Sequence, residues 1–278
     1  MFSIVIPSWN NLPYLKLCIE SIRKNSRHAH EIIVHVNDGS DGTLDWLKAE
    51  GILHTHTPDN AGICVGVNLA AGLASRDYIV YLNDDMYCCP DWDGVLLDAA
   101  QKLDTDLFMI SGTLIEPKAS RNPCVIVQNH GDSVASFDEA GLLAHFRDQP
   151  FGNWSGSSWP PTVVHKRWWQ IVGGYSIEFS PGMASDNDLA MKLWHAGCRH
   201  FIGIADSRVY HFQCKSTGRI VRNNGRKTFM QKWGMTLSFF NRFYLRRGEA
   251  LQSPLSDLKP TLKNLGPRLM SAIKSKLA

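Results

Sequence analysis

Two neighbouring carboxylates, Asp84 and Asp85, follow the apolar run Tyr78-Ile79-Val80-Tyr81-Leu82 with only Asn83 between. Five apolar residues in a row read as a strand buried on both faces. Unpaired buried charge is costly, so acids at the end of such a strand require a cationic partner. Mg²⁺ and Mn²⁺ take oxygen ligands and often hold substrate phosphates through one or two protein carboxylates. In open α/β sheets, ligands gather at the carboxyl ends of strands. A solvated acidic turn is the plainer alternative. Further chemistry-bearing residues are Asp38 in Asn37-Asp38-Gly39-Ser40, Asp186 and Asp188 in Ser185-Asp186-Asn187-Asp188-Leu189, and His211 after an apolar run. Each has an ordinary explanation. Asp-Gly forms Asx turns, acids stabilise helix N-termini, and a lone histidine at a strand end is commonly a satisfied core or surface group.

The elements that must position these groups alternate. Strands are expected at Phe2–Ile6, Ile32–Val36, Leu53–Thr57 and Tyr78–Leu82. The intervening helices include one capped by Asn10 or Asn11 with Pro13 in its first turn, Leu44–Ala49 and Gly62–Ser75. This alternation indicates βαβ units and a parallel, Rossmann-like sheet flanked by helices. Further strands are expected at Leu107–Ser111, Cys124–Gln128, Phe201–Ile204 and Arg208–Phe212. Residues 148–161, rich in Gly, Ser, Pro and Trp, read as a loop. Helices are expected from Trp168 to Val172, from Asp188 to Ala196 (leaving Asp186 just before the helix) and from Phe229 to Tyr244. In the tail, Leu262, Leu265, Leu269, Ile273 and Leu277 share one helical face, with Lys263, Arg268, Lys274 and Lys276 around it. That is either a helix packed on its own domain or a basic amphipathic segment on an anionic membrane surface.

At 278 residues and 44% hydrophobic, the chain suits one large α/β domain, or one domain with a smaller appendage. A net charge of +3 gives no reason to expect nucleic acid. Seven cysteines without C-x-x-C spacing argue against a disulfide scaffold or a structural zinc and for a reducing compartment. No leader-like segment and no run long enough to span a bilayer is expected.

In order along the chain, several segments resemble family 2 glycosyltransferases of the GT-A fold. These are Ile4-Val5-Ile6-Pro7-Ser8-Trp9-Asn10, Asn37-Asp38-Gly39-Ser40, Asn60-x-Gly62 with Asn68, Asn83-Asp84-Asp85, Val172-Gly173-Gly174-Tyr175, Ser185-Asp186-Asn187-Asp188-Leu189 and His211. The resemblance spans roughly residues 2–240. It implies a nucleotide-sugar-binding half over 1–105, an acceptor-binding and catalytic half of the same domain over 106–245, and a tail over 246–278. It implies that Asp38 reads the N3–H of a uracil or thymine ring, with Pro7, Trp9 and Asn10 beside it. Asn60, Gly62, Asn68, Asn83 and Asp84 would contact the rest of the donor. Asn83 stands where many members carry Asp. Asp85 and His211 would hold Mg²⁺ or Mn²⁺, and Asp186 would be the general base of an inverting transfer from a UDP- or dTDP-sugar. Trp154 and Trp159 are candidates for an acceptor platform, alongside Trp168 and Trp169. Lys215 and Arg219, with Arg222 and Arg226, are candidates for a lid over the diphosphate.

The implied partners are a nucleotide-diphospho-sugar donor and a glycan or lipid-linked glycan acceptor. The family's frequent role in bacterial surface polysaccharide synthesis would place the protein in the cytoplasm, at the inner membrane face if the tail binds lipid. Two alternatives stand. One is a catalytically inactive nucleotide-sugar-binding module. The other is a sugar-nucleotide pyrophosphorylase, against which Ser8-Trp9-Asn10-Asn11 stands where a Gly-rich phosphate loop and lysine would be expected. The same segment lacks the G-x-G-x-x-G of a dehydrogenase.

Overall fold

A computed structural model describes residues 1–120, 122–214 and 223–277. The first four expected strands form as β1 (Phe2–Trp9), β2 (Glu31–Asn37), β3 (Leu53–Thr57) and β4 (Tyr78–Tyr81), with helices α1 (Leu12–Asn25), α2 (Thr43–Ala49) and α3 (Gly62–Ala71) between them. β1 lies between β2 and β4 and pairs with both in parallel. Its first seven residues are all buried, because helices cover both faces of the sheet. Asn11 caps α1 by position but not by its side chain. The N–H of Leu12 is instead satisfied by Asp41 Oδ2 at 2.9 Å, from the loop after β2.

β5 (Met86–Cys88), α4 (Trp92–Gln101), β6 (Phe108–Glu116), β7 (Val125–Val127) and α5 (Glu139–His145) follow. The chain continues through β8 (Trp154–Ser155), β9 (Thr162–His165), α6 (Lys166–Val172), α7 (Ser185–His195) and β10 (His200–His211). One sheet results, ordered β3-β2-β1-β4-β9-β6-β10-β5, with β7 beside β6 and β8 beside β10. The expectation of a mostly parallel sheet holds for β1–β4 and for β6 with β10. β9 runs antiparallel between β4 and β6. It lies just after the stretch expected to be loop, and its four residues are too few to show a period. β8 falls inside that expected loop. Two strands expected at 201–204 and 208–212 are one strand with a bulge between Ile204 and Arg208.

The expected helix over 229–244 is broken. α8 (Gly225–Trp233) ends at Gly234, whose φ of +64° reverses the chain. Thr236 then caps the short α9 (Leu237–Phe239), which continues as a π-turn over Phe240–Tyr244. α10 (Leu262–Lys276) forms straight through Pro267. Among the described residues no helix is long and apolar enough to cross a membrane. All seven cysteines are free.

Apolar clusters fill both faces of the sheet. One gathers α1, α2 and α4 residues such as Leu15, Leu47 and Trp92; the other gathers α3, α6 and α7 residues such as Val67, Trp169 and Leu193. Within the second, Gly66 of α3 lies flat on the His35 ring, and a Cβ there would stand 2.5 Å from Cδ2. The ring cannot swing away, since Nδ1 meets Thr55 Oγ1 at 2.8 Å and Nε2 meets Thr57 Oγ1 at 3.2 Å. Burial pushes this histidine down to about 4, so it sits neutral. Gly66→Ala should therefore destabilise by about 1–3 kcal/mol through overpacking, despite the ~1 kcal/mol that alanine gains in a helix; urea denaturation of the two proteins measures the difference.

Candidate active site

The site is built where β4 ends. β5 starts immediately after Asp85 and turns back against β10, with Met86 opposite His211. That register fixes Asp85 beside the last residue of β10. The backbone carbonyl of Asp85 accepts from Phe212 N at 3.1 Å, and its Oδ2 accepts from Cys214 N at 2.8 Å. His211 Nε2 lies 3.5 Å from Asp85 Oδ2. On the other side of the ring, Nδ1 is held by Glu116 Oε1 at 2.9 Å. Glu116 is itself fixed by Gln213 Nε2 at 2.7 Å. Burial pushes the Asp85 carboxyl up, but the His211 cation and the Cys214 amide outweigh it, and the group lies below the usual carboxylate range. Burial disfavours charge on His211 as well. Asp85 and Glu116 more than offset this and hold it well above the ordinary histidine range.

Asp85, His211, Gln213 and Cys214 line a cavity of about 320 Å³, with Glu116 behind His211. Of the residues expected at the site, Pro7, Trp9, Asn60, Gly62, Asn83, Asp84, Asp85 and His211 are in its wall. Asp84 Oδ2 accepts from Ser8 Oγ at 2.7 Å, and Asn83 Oδ1 accepts from Tyr81 Oη at 2.7 Å. Asn60 Oδ1 accepts from Gly62 N at 3.0 Å. Gly62 has a φ of +81° and sits so close to Pro181 that a Cβ would reach its Cα at 2.7 Å. No larger residue fits between that segment and α3.

Asp38 and Asn10 stand outside the wall of the cavity but close to it, next to Trp9. Asn10 Nδ2 donates to Asp38 Oδ2 at 2.8 Å, while Asn10 Oδ1 accepts from Gly39 N at 3.0 Å. Asn10, followed by Ser40, holds the Asp38 carboxyl below its ordinary range. Asp38 adopts a φ of +65°, which a short polar side chain tolerates.

Asp186 is displaced from its expected place. α7 begins at Ser185, three residues earlier than anticipated, so Asp186 sits in the first helical turn. Ala184, at a φ of +69°, and the bond from Ser185 Oγ to Gly182 O at 2.7 Å start the helix there. Its Oδ1 accepts from Tyr175 Oη at 2.6 Å, and the Tyr175 ring stands edge-on to Tyr81 at 5.7 Å, the residue that lines the cavity. Asp186 is thus one ring removed from the wall. Burial pushes its carboxyl up to about 6, against the opposing pull of the Tyr175 hydroxyl. Asp188, by contrast, is fully buried and ties α7 to α8: it accepts from Ser176 Oγ at 2.6 Å and Trp233 Nε1 at 2.8 Å, and lies 2.9 Å from Lys232 Nζ.

Three expected site residues are placed elsewhere. Asn68 spends its whole amide on Tyr175, donating to its carbonyl at 2.7 Å and accepting from its N–H at 2.8 Å. Trp154 is buried, donates to Thr113 Oγ1 at 3.0 Å and covers Gly203, so it is a core residue rather than a platform. Trp159 is exposed under the Arg247 guanidinium and away from the cavity wall. Of the other tryptophans, Trp168 donates to Asp106 and Trp169 is buried against Tyr175. Lys215, Arg219 and Arg222 lie outside the described residues. Sequence reasoning missed Glu116, Tyr81, Asn37, Pro181 and Gln213. For Glu116 a signal existed, an acid closing a run of eight strand residues, Phe108 to Ile115, all buried.

No group of three or more His, Cys, Asp or Glu among the described residues is arranged to hold a metal by itself. Asp85 and His211 supply one oxygen and one nitrogen donor on the cavity side, with Nδ1 already committed to Glu116. Such a pair suits a divalent ion whose other positions are filled by phosphate and water.

This arrangement, a nucleotide-type sheet with twin acids after β4, a histidine at the end of β10 and a half-buried acid at the start of α7, is that of the GT-A class of fold. Residues 3–132 match the model of "Glycosyl transferase family 2". The chain is 25% identical over 219 residues to chondroitin synthase of Escherichia coli, a match that covers 76% of this chain and 29% of that protein. Among solved structures, S. aureus TarS 1–349 in complex with UDP superposes with a TM-score of 0.59 at 12% identity, covering 86% of this chain and 65% of that one. TarS 1–349 without a named ligand gives a TM-score of 0.56 at 13% identity, with the same coverage. Over residues 3–132 the chain is thus similar to family 2 glycosyltransferases, and the solved structures bear out the fold. The chain spans under a third of the curated relative and about two thirds of the TarS fragment.

The raised Asp186 carboxyl carries a stability consequence. The folded state binds this proton more tightly than the unfolded chain, whose group titrates near 3.8. The stabilising contribution is complete below that value and is lost as pH rises through about 6. Asp186→Asn should accordingly be more stable than the parent at pH 7.5, by about 1–3 kcal/mol, and nearly equal at pH 3.5; denaturant titrations at the two pH values test this.

Proposed function

We propose that the protein transfers a sugar from a UDP- or dTDP-sugar to a hydroxyl of a glycan acceptor, with inversion at the anomeric carbon. The observation that carries this reading is the Glu116–His211–Asp85 array in a cavity that runs past Asp84 to Trp9, with Asp38 beyond it. The fold likeness to a structure titled as a UDP complex supports a uracil-type base, and the chondroitin synthase relative supports a glycan acceptor. Residues 1–105 would carry the donor and 106–245 the acceptor side. A lipid-linked acceptor in bacterial surface polysaccharide synthesis fits this reading.

Asp38 offers a carboxylate, fixed by Asn10, to the base N3–H. Ser8 holds Asp84 toward the sugar and ribose. Asp85 and His211 would hold Mg²⁺ or Mn²⁺, which when bound neutralises charge developing on the leaving diphosphate. Glu116 orients the His211 ring so that Nε2 faces the cavity. Asp186, raised toward neutrality by burial, accepts the proton of the attacking hydroxyl. A base with a pKa near the working pH combines the ionised form with sufficient basicity. Tyr175 fixes the direction of that carboxylate.

Asp186→Asn should cut turnover by roughly 10²–10⁴ while leaving Mn²⁺-dependent UDP binding unchanged. Steady-state assay of donor consumption and titration calorimetry give the two readouts, and unaltered turnover would exclude Asp186 as the base. Asp85→Ala should abolish the Mn²⁺ dependence of UDP affinity. Glu116→Gln should weaken metal-dependent affinity by about 10–100-fold and leave metal-free UDP binding untouched, as calorimetry with and without chelator will show.

A further inference from the structure

α10 is built inside out. A surface helix ordinarily turns its apolar stripe to the core and its polar side to water. Here the side that touches the domain is polar. Asn264 and Ser271 are buried, Ser271 Oγ accepts from Thr236 N at 2.7 Å, and Ser275 Oγ donates to Gly234 O at 2.9 Å. Thr261 and Asn264 form a reciprocal cap that fixes the start of the helix. The opposite side presents Leu265, Leu269, Met270 and Ile273 to solvent, 44–63% exposed, with Leu262 and Leu277 at the ends. At 100° per residue, these positions fall within one arc, and Asn264, Ser271 and Ser275 fall on the arc facing it.

The charges around the apolar arc have a single sign. Between Thr261 and Leu277 the chain has Lys263, Arg268, Lys274 and Lys276 and no Asp or Glu. Lys263 and Lys274 flank one edge of the stripe and Arg268 flanks the other. At the N-terminal end, Lys263 also lines a groove with Arg242, Arg246 and Lys259, beside Glu249 and Asp257. Asp257 is already paired to Arg199 at 2.7 Å. A second copy of this chain laid on the stripe would set these cations against their own kind. The surface that accepts an apolar stripe and a one-sign basic border together is an anionic lipid bilayer, into whose headgroup boundary a helix of this kind sinks lengthwise.

We infer that α10 is a membrane-surface docking helix, held at a fixed orientation by its serine side, which lays the Leu265–Leu269–Ile273 stripe into anionic lipid. This goes beyond the sugar-transfer reading and does not depend on it, since lipid binding needs neither donor nor turnover. It also resolves the choice left open by the sequence: the helix does pack on its domain, but through the wrong face for an ordinary core contact.

The test is vesicle co-flotation of the full chain, without nucleotide, on phosphatidylcholine vesicles and on vesicles with about one third phosphatidylglycerol. The protein should float with the anionic vesicles, and much less with phosphatidylcholine alone or at high salt. The double variant Leu265→Glu/Leu269→Glu should lose at least roughly tenfold in binding, and Lys263→Glu/Lys274→Glu should lose the preference for anionic lipid. Both pairs are on the exposed arc, and unchanged circular dichroism and melting temperature would confirm that the fold is kept. Failure of the parent to float at low salt, or equal flotation of the leucine variant, would overturn the assignment. A parent dimer by light scattering that the leucine variant converts to monomer would overturn it too, by giving the stripe to a second copy.

Discussion

The candidate site depends on one short antiparallel return. β5 has only three residues, yet its pairing with β10 opposes Met86 to His211 and so brings the acid before it against the histidine beside it. Without that register, Asp85 would be a buried carboxylate at the end of a core strand with no cation in reach, an arrangement that costs several kcal/mol. Three groups converge on the pair: the Cys214 and Phe212 amides, which donate to Asp85, and the Glu116 carboxylate, which accepts from His211. The ring is gripped from both sides before any ligand arrives. That is the sense in which the site is preorganised.

A second constraint ties the candidate base to the same cavity. α7 begins where the chain crosses in front of α3. Gly62 leaves room for Pro181, Ile63 N donates to the Pro181 carbonyl at 2.9 Å, and Asn68 clasps Tyr175. Tyr175 then reaches forward to Asp186. The glycine and asparagine of α3 therefore serve the acid site indirectly, by holding the segment that carries it. Asp188, two residues on, faces away and binds α8. The two acids of one motif have separate tasks, because positions i and i+2 on a helix point to different sides.

Much of this was legible in the sequence and some was not, for identifiable reasons. The strand ending in Asn83-Asp84-Asp85 was readable because a two-sided buried strand is a continuous apolar run, which leaves its terminal acids conspicuous. The turn holding Asp38 was readable from Gly39. β9 was not readable, since a four-residue strand has no period to detect. The start of α7 was misplaced because it rests on a left-handed alanine, a residue that carries no capping signal. Trp154 and Asn68 were misjudged because residue type does not reveal orientation: both found their partners inside the protein, in Thr113 and Tyr175. Glu116 went unnoticed because the strand was expected to stop five residues before it.

The placement of β9 has a consequence for how the chain can be divided. Its four residues come from the middle of the sequence but separate β4 from β6 at the centre of the sheet. A fragment that stopped at residue 132, the end of the family-matched stretch, would keep β4 and lose this neighbour. The exposed flank would be Tyr78-Ile79-Val80-Tyr81, apolar on both faces and unpaired along one side. Such an edge invites pairing with other chains. The amino-terminal part thus relies on the chain that follows it to cover this edge.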